Sequence, residues 1–369
     1  MSQTFRPSPF TDPAAVEAWD AWFRWRDPAG LRDVSIEHTW LRVASALASV
    51  EPRGPRSVYE DRFMEAMATW RLLPGERLLA GAGTGRIPWR TDDLSAVLNV
   101  AAFVEPEAGA VDSIDLSAMS DCAALAVRAL DNAARLAGIS PRRLRIGVVG
   151  VADTLALLGL RYDSDAGRAR AVSVMRVIAA GCQQANIQLA MERGAHSDAA
   201  PVQRACQGVA TPCPPRPHAT ARHGRRYAQL TAITSQLRLA LFANVVADGI
   251  DPLGGADHAY TIAAPGGPRV VRSSGYALNR LHTRTGVAAG DPDSLVTVPV
   301  MAQMQMRAAL QPWVDAPITY PLPVLQTPTP QEEYEARQLA RRNGLPAPAW
   351  RDASQGGAIG RGLQIPSGA

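Results

Sequence analysis

Arg145-Ile-Gly-Val-Val-Gly-Val-Ala-Asp-Thr-Leu-Ala-Leu-Leu-Gly-Leu-Arg-Tyr-Asp-Ser164 is the stretch on which the reading of this chain turns. Leu144 to Gly150 has the apolar, β-branched make-up of a buried strand. Asp153 to Leu158 then takes a short helical pattern, and Asp165 to Glu192 continues as a long helix. A buried strand running into helices is the unit from which α/β architectures are built.

Working upstream, Asp112 to Gly138 reads as a helix with Leu116, Met119, Ala123, Val127, Leu130 and Ala134 on one face, and Gly138 placed to end it. Val58 to Arg71 and Ile36 to Val50 are two more helices, the latter with Ser35 as a cap. Leu78 to Gly85 is a short apolar run turning into a glycine loop, and residues 1–35 read as an irregular arm rich in Pro, Trp and Asp. Downstream, periodicity vanishes between Gly194 and Arg226, an excursion rich in Pro, Ala, His and Arg. Tyr227 to Val246 reads as strand then helix, Val300 to Val314 as a helix, and Pro330 to Asn343 as a charged helix closed by Gly344. Residues 356–369 form a Gly-rich tail expected to be flexible.

The chain has 369 residues, 47% hydrophobic and 20% charged, enough to bury a sizeable core. Its net charge of +4, without a dense basic face, argues against nucleic-acid binding. All 38 basic residues are arginine, which excludes Schiff-base chemistry, a P-loop lysine and a lysine general base. Ala, Arg and Pro usage of this kind suits a GC-rich bacterial genome. No apolar run approaches the roughly 18 residues of a membrane span, and the polar start has no signal-peptide core. The sequence therefore reads as a soluble cytoplasmic protein without a membrane partner. Cys122, Cys182, Cys206 and Cys213 are too scattered for a disulfide framework.

Several segments, in order, resemble the large catalytic chain of ribonucleotide reductases, most closely the adenosylcobalamin-dependent class. Arg145 to Ser164 is similar to that family's central glycine-rich block almost position by position. Ala126-Val-Arg-Ala-Leu-Asp-Asn132 resembles the block before it and Leu189-Ala-Met-Glu-Arg-Gly194 the block after it, and Gly249-Ile-Asp-Pro-Leu253, Met304 to Asp315 and Arg351-Asp-Ala-Ser354 resemble later ones. The resemblance covers most of residues 36–355, which it implies are one domain interrupted by the 194–226 excursion. It implies a helix-rich α/β fold, an incomplete version of the family's ten-stranded barrel. In the family a cysteine thiyl radical on a finger loop abstracts a ribose hydrogen, with adenosylcobalamin as cofactor. A loop of Asn, Cys and Glu supplies acid and base groups, a cysteine pair supplies electrons, and the product is a deoxyribonucleotide.

The chemical positions depart from that pattern. Arg86-Ile-Pro-Trp-Arg90 stands where the first redox cysteine is expected. About ten residues further on, Leu98-Asn-Val-Ala-Ala-Phe-Val104 already resembles a stretch beyond the finger loop. The intervening strands and the Asn-Pro-Cys-Gly-Glu loop are absent, so no catalytic residue is assigned. Cys122 and Cys182 fall inside helices as small buried hydrophobes.

Ser235-Gln-Leu-Arg238 replaces the phosphate loop and lacks its glycine; Ser235, Gln236 and Arg238 are the candidate substrate-binding residues. Arg222, Arg225 and Arg226 form a basic cluster ahead of them, a solvated turn or a phosphate contact. Cys206, Cys213, His218 and His223, spaced C-x6-C-x4-H-x4-H, are a candidate Zn²⁺ site.

Gly147 and Gly150 lack a complete dinucleotide-binding signature and suit strand–helix packing. His38 and His282 read as structural, Asp153 and Asp163 as helix caps or turn residues, and Trp19, Trp22 and Trp25 as a packing face. Two functions follow: a degenerate member of the reductase family, or a non-catalytic nucleotide-binding or protein-interaction protein on that scaffold. A barrel missing inner strands would expose sheet edges, which suits a homo-oligomer or a protein partner.

Overall fold

In the computed structural model, residues 9–106, 112–195, 224–255, 258–264, 266–285, 298–353 and 358–359 are described. Four strands lie side by side in chain order: β1 (Leu72–Pro74), β2 (Ser95–Asn99), β3 (Arg143–Val149) and β4 (Gln229–Thr231). β1 is antiparallel to β2, whereas β2, β3 and β4 run parallel. Parallel neighbours need long crossovers, and the helices provide them. Eleven α-helices occur among the described residues. They are α1 (Pro13–Trp22), α2 (Ile36–Ala48), α3 (Arg53–Ala68), α4 (Glu76–Gly81), α5 (Leu116–Leu136), α6 (Val151–Leu157), α7 (Asp165–Arg193), α8 (Leu237–Phe242), α9 (Tyr276–Thr285), α10 (Val300–Leu310) and α11 (Pro330–Arg342). α5 joins β2 to β3, and α6 with α7 follows β3. The sheet remains open, so the architecture is an incomplete α/β barrel wrapped in helices.

The glycines of β3 have packing reasons. A side chain on Gly147 would bring its Cβ to 2.7 Å from the Ala232 carbonyl oxygen. Gly150 has φ +75° and leaves 2.8 Å between a would-be Cβ and Asn99 Oδ1. Close approach of the neighbouring strands and their ends, rather than the strand–helix packing expected from the sequence, accounts for both.

The outer edge of β4 is not left bare. Asp315 accepts hydrogen bonds from the Leu230 and Thr231 amides at 2.8 and 3.1 Å, and the Ala316 amide donates to the Thr231 carbonyl at 3.0 Å. A loop of the same chain therefore satisfies the edge that an incomplete barrel would expose. No described helix is long and apolar enough to cross a membrane.

Residues 9–35 are not an irregular arm. Asp12 caps α1 by accepting from the Ala14 amide at 2.8 Å, and Pro13 occupies the first turn, where its missing N–H costs nothing. The same carboxylate accepts from Ser273 Oγ at 2.5 Å and Asn279 Nδ2 at 3.3 Å, tying the N-terminal region to distant segments. Trp19 and Trp22 are buried; Trp19 Nε1 donates to Thr39 Oγ1 at 2.9 Å and Trp22 Nε1 to the Ala263 carbonyl at 3.3 Å. Trp25 lies beyond the helix, beneath Arg42. Phe10, Phe23, Trp40, Trp70 and Phe242 complete an aromatic core.

Other expectations need smaller corrections. Leu78 to Gly85 is helical as far as Gly81, and α3 starts at Arg53, because Pro52 sits outside its first turn. The hairpin β5 (His258–Ala264) and β6 (Gly267–Ser273), and α9 after it, have no counterpart in the sequence reading. Of the tail, Ala358–Ile359 pairs in parallel with Thr261 and Ile262. Near the C-terminus, β7 (Leu322–Val324) and β8 (Trp350–Asp352) pair in parallel beside α10 and α11, around Met304, Leu322, Ala336 and Ala340.

Candidate functional site

Open α/β sheets place ligand sites at the carboxyl ends of their strands. Here β3 ends at Val149, just before Gly150, and β4 runs on toward Ser235 and Gln236. Three buried aspartates gather around these ends. Asp153, in the first turn of α6, accepts from the Ala247 and Ala277 amides at 2.7 and 3.0 Å, so it fastens the loop after α8 and the start of α9. Asp248 accepts from Ser235 Oγ at 2.5 Å and from the Gln236 amide at 2.6 Å. Asp251 accepts from Tyr320 Oη at 3.0 Å and Arg351 Nη2 at 2.7 Å.

Burial penalises the charged form of all three. It pushes Asp153 up to about 6, against the two amides that favour its anion. Burial, with the neighbouring charge of Asp251, pushes Asp248 up to about 7. Asp251 is raised by burial too, while Arg351 and Arg307 pull the other way. Arg307 donates to the Tyr320 carbonyl at 2.5 Å, and its ring partner Tyr320 lies 4.3 Å from the guanidinium carbon. Tyr162 Oη donates to the Ile250 carbonyl at 2.6 Å, so two tyrosines pin the 248–251 turn.

A cleft with room for about 80 Å³ of solvent opens beside this group, lined by Asp248, Asp251, His258, Tyr260, Arg351 and neighbours. That is well short of the roughly 300 Å³ of a preformed pocket for a drug-sized ligand. Val246 and Ala247 line it, and just before them Asn244 and Val245 have φ of +63° and +62°. A β-branched residue in that region is strained by about 1–3 kcal/mol. It is held there by neighbours: Val245 accepts from the Tyr276 amide at 3.0 Å, and Asn244 Oδ1 from the Thr11 amide at 2.8 Å.

Comparison with known proteins places this arrangement. The all-alpha domain of ribonucleotide reductase matches residues 11–86, and the barrel domain matches residues 94–213. The chain belongs to the ribonucleotide reductase large-chain family. Vitamin B12-dependent ribonucleoside-diphosphate reductases from two Mycobacterium tuberculosis strains are each 29% identical to it over 150 residues, 38% of this chain. The matched stretch spans 19% of the length of those relatives.

The blocks that resemble the reductases converge in space. Asp251, Arg307 and Arg351, from three separate blocks, form the buried polar centre just described. Two other blocks meet in a second centre. Glu51, whose side chain is fully buried, accepts from Arg128 at 2.7 and 2.9 Å, Asn132 at 2.8 Å and Arg193 at 2.7 Å. Asp131 accepts from Arg193, from Arg226 at 2.8 Å and from Tyr227 Oη at 2.5 Å. Burial opposes the Glu51 charge, but the three donors outweigh it and hold the carboxyl below its ordinary range. Arg128, Asp131, Asn132 and Arg193 are thus a staple between α5 and α7 rather than a reaction centre.

The substrate candidates lie together, each engaged by the chain itself. Ser235 and the Gln236 amide hold Asp248, Gln236 Nε2 donates to Thr234 Oγ1 at 2.8 Å, and Arg238 pairs with Glu76 at 2.7 Å. Cys206, Cys213, His218 and His223 lie outside the described residues, as does Arg222. Arg226 is the partner of Asp131, not a free turn residue. Cys182, on α7, is buried against α5, and Cys122, on α5, is buried beside α3; burial pushes the Cys122 thiol up to about 12 and raises Cys182 as well.

His38 accepts from the Ser35 amide at 3.2 Å in a helix cap, and His282 is exposed on α9. Asp163 pairs with Arg161 in a turn, whereas Asp153 caps α9 from a distance instead of its own helix. Asp248 and Glu51 were not singled out in the sequence. Neither sits in a periodic or spaced motif, and the partners that give them meaning are brought in by the fold.

Proposed function

We propose that this chain is a degenerate member of the reductase family that does not reduce ribonucleotides through its own residues, and serves instead as a binding or regulatory protein. The observation that carries this reading is Asp248. Its carboxylate takes the Ser235 hydroxyl and the Gln236 amide, the donors that an incoming phosphate would need. With Arg238 committed to Glu76, the strand-end loop is filled by the chain's own anions.

Adenosylcobalamin would supply a radical to a cysteine at the strand ends. The two cysteines among the described residues stand elsewhere, buried on α5 and α7. These residues do not fit that cofactor. Binding of a nucleotide, a second copy or another protein is the remaining role, in the bacterial cytoplasm that composition suggests.

The test is anaerobic incubation of ribonucleoside di- and triphosphates with adenosylcobalamin and a dithiol, beside a nucleotide titration. The expected result is no deoxynucleotide above the protein-free control. Product formed at a rate proportional to protein would overturn the reading. Saturable nucleotide binding without product would identify the retained role as nucleotide sensing, and absence of both would point to a protein partner.

A further inference from the structure

Several arginines among the described residues are tied to carboxylates: Arg42 to Asp33, Arg128 and Arg193 to Glu51, Arg226 to Asp131. Arg62 and Arg71 break that habit. They line one hollow of about 240 Å³ between α3 and α5, with Thr69, Glu65, Asp121 and Cys122. Among the described residues neither guanidinium forms an ion pair; Arg62 lies over the Tyr59 ring at 5.7 Å and Arg71 over Phe103 at 5.1 Å. The Arg71 Nε–H is moreover buried with no hydrogen-bond partner. Such a group costs about 1–3 kcal/mol unless something else meets it, commonly water or an ion.

Two carboxylates are within the same lining, yet both guanidiniums leave them unpaired. The hollow continues into a second of about 190 Å³, which shares Arg62, Asp121 and Leu125 and leads to Gln184 and Gln188.

We infer that this hollow binds a small doubly charged oxyanion, inorganic phosphate or a phosphomonoester, between Arg62 and Arg71. The planar forks of two arginines suit tetrahedral oxyanions, which accept two N–H bonds from each. Ring stacking holds both guanidiniums in place and leaves their edges for the ligand. Asp121 and Glu65 oppose the anion's charge, so they limit affinity and select against larger polyanions. Gln184 and Gln188 offer amides to an organic body attached to the phosphate. The site lies on the helical layer, away from the strand ends, and does not depend on the function proposed above.

The experiment is calorimetric titration of the full chain with inorganic phosphate and with glycerol 1-phosphate, at constant ionic strength in chloride. Saturable one-to-one binding is expected, weakened about fivefold or more by Arg62→Ala and likewise by Arg71→Gln. Asp121→Asn should tighten it, because a repulsive charge is removed. Arg62 is exposed, so Arg62→Ala carries the test if Arg71→Gln fails to fold; Arg337→Ala on α11 is the control with no effect. Tighter binding of glycerol phosphate than of inorganic phosphate would make the ligand an organic phosphomonoester, and equal binding would make it free phosphate. No binding of either, or binding indifferent to Arg62→Ala, overturns the proposal.

Discussion

Glu51 shows how much one side chain can hold when its partners arrive from two separate helices. It follows the end of α2, and its carboxylate meets Arg128 and Asn132 from α5 and Arg193 from the end of α7. Removing one member of a buried ion cluster leaves the others charged and uncompensated, which typically costs about 3–5 kcal/mol. Glu51→Ala is therefore expected to destabilise the chain by that order, read as a lower urea midpoint at unchanged slope. Glu51→Gln keeps the shape and part of the hydrogen bonding, so it should lose less. Arg128→Ala in the Glu51→Gln background should cost less than Arg128→Ala alone, since the two share one interaction. Equal losses in both backgrounds would show that the residues act independently.

At the scale of elements, the excursion after α7 is fastened at both described ends. Arg226 donates to the carbonyls of Arg193 and Gly194 at 3.1 Å each. Asn186 and Tyr227 exchange two hydrogen bonds at 2.8 and 2.9 Å, and a Cβ built on Gly224 would lie 2.9 Å from that of Ala195. The junction is thus closed by side chains and backbone outside residues 196–223. Replacing 196–223 with a short Gly-Ser linker should change Tm by less than about 2 °C, on the order of 1 kcal/mol for a chain of this size. The same pair of proteins tests the Zn²⁺ expectation, one equivalent in the full chain after dialysis and none in the shortened one.

Elements of this kind were legible where periodicity was strong. α5, α7, α10 and β3 fall within a few residues of their sequence-based bounds, because each buries a continuous face. The β5–β6 hairpin was not legible. Its strands are half-exposed without clean alternation, so no period marks them. The candidate site was half legible. The blocks holding Asp251, Arg307 and Arg351 stood out, but that they meet in one buried centre depends on contacts between residues up to 100 positions apart.

For the whole molecule, the two buried acidic centres act on stability with opposite signs. Glu51 and Asp131 have folded-state values below their ordinary ones, so their contribution is present above the unfolded value and fades as pH falls through the folded one. Asp153, Asp248 and Asp251 are raised in the folded state. Between the ordinary aspartate value of 3.8 and about 7, folded Asp248 holds a proton that the unfolded chain has released. Folding then binds protons, and stability must fall as pH rises through that window. The sum is a maximum near about pH 4, with acid loss below it from the Glu51 centre and a decline above it, complete by about pH 7, from the strand-end aspartates.

Asp248→Asn removes the titrating group while Asn can still accept from the Gln236 amide, with Ser235 turned to accept from its Nδ2. The variant should lose less stability between pH 5 and 8 than the natural chain. The difference is expected on the order of 1 kcal/mol or more, about the worth of one pKa unit. Urea unfolding at both pH values checks it. A parallel decline in both proteins would mean that Asp248 stays ionised throughout, held by its two donors, and that the pH dependence arises at Asp153 or Asp251.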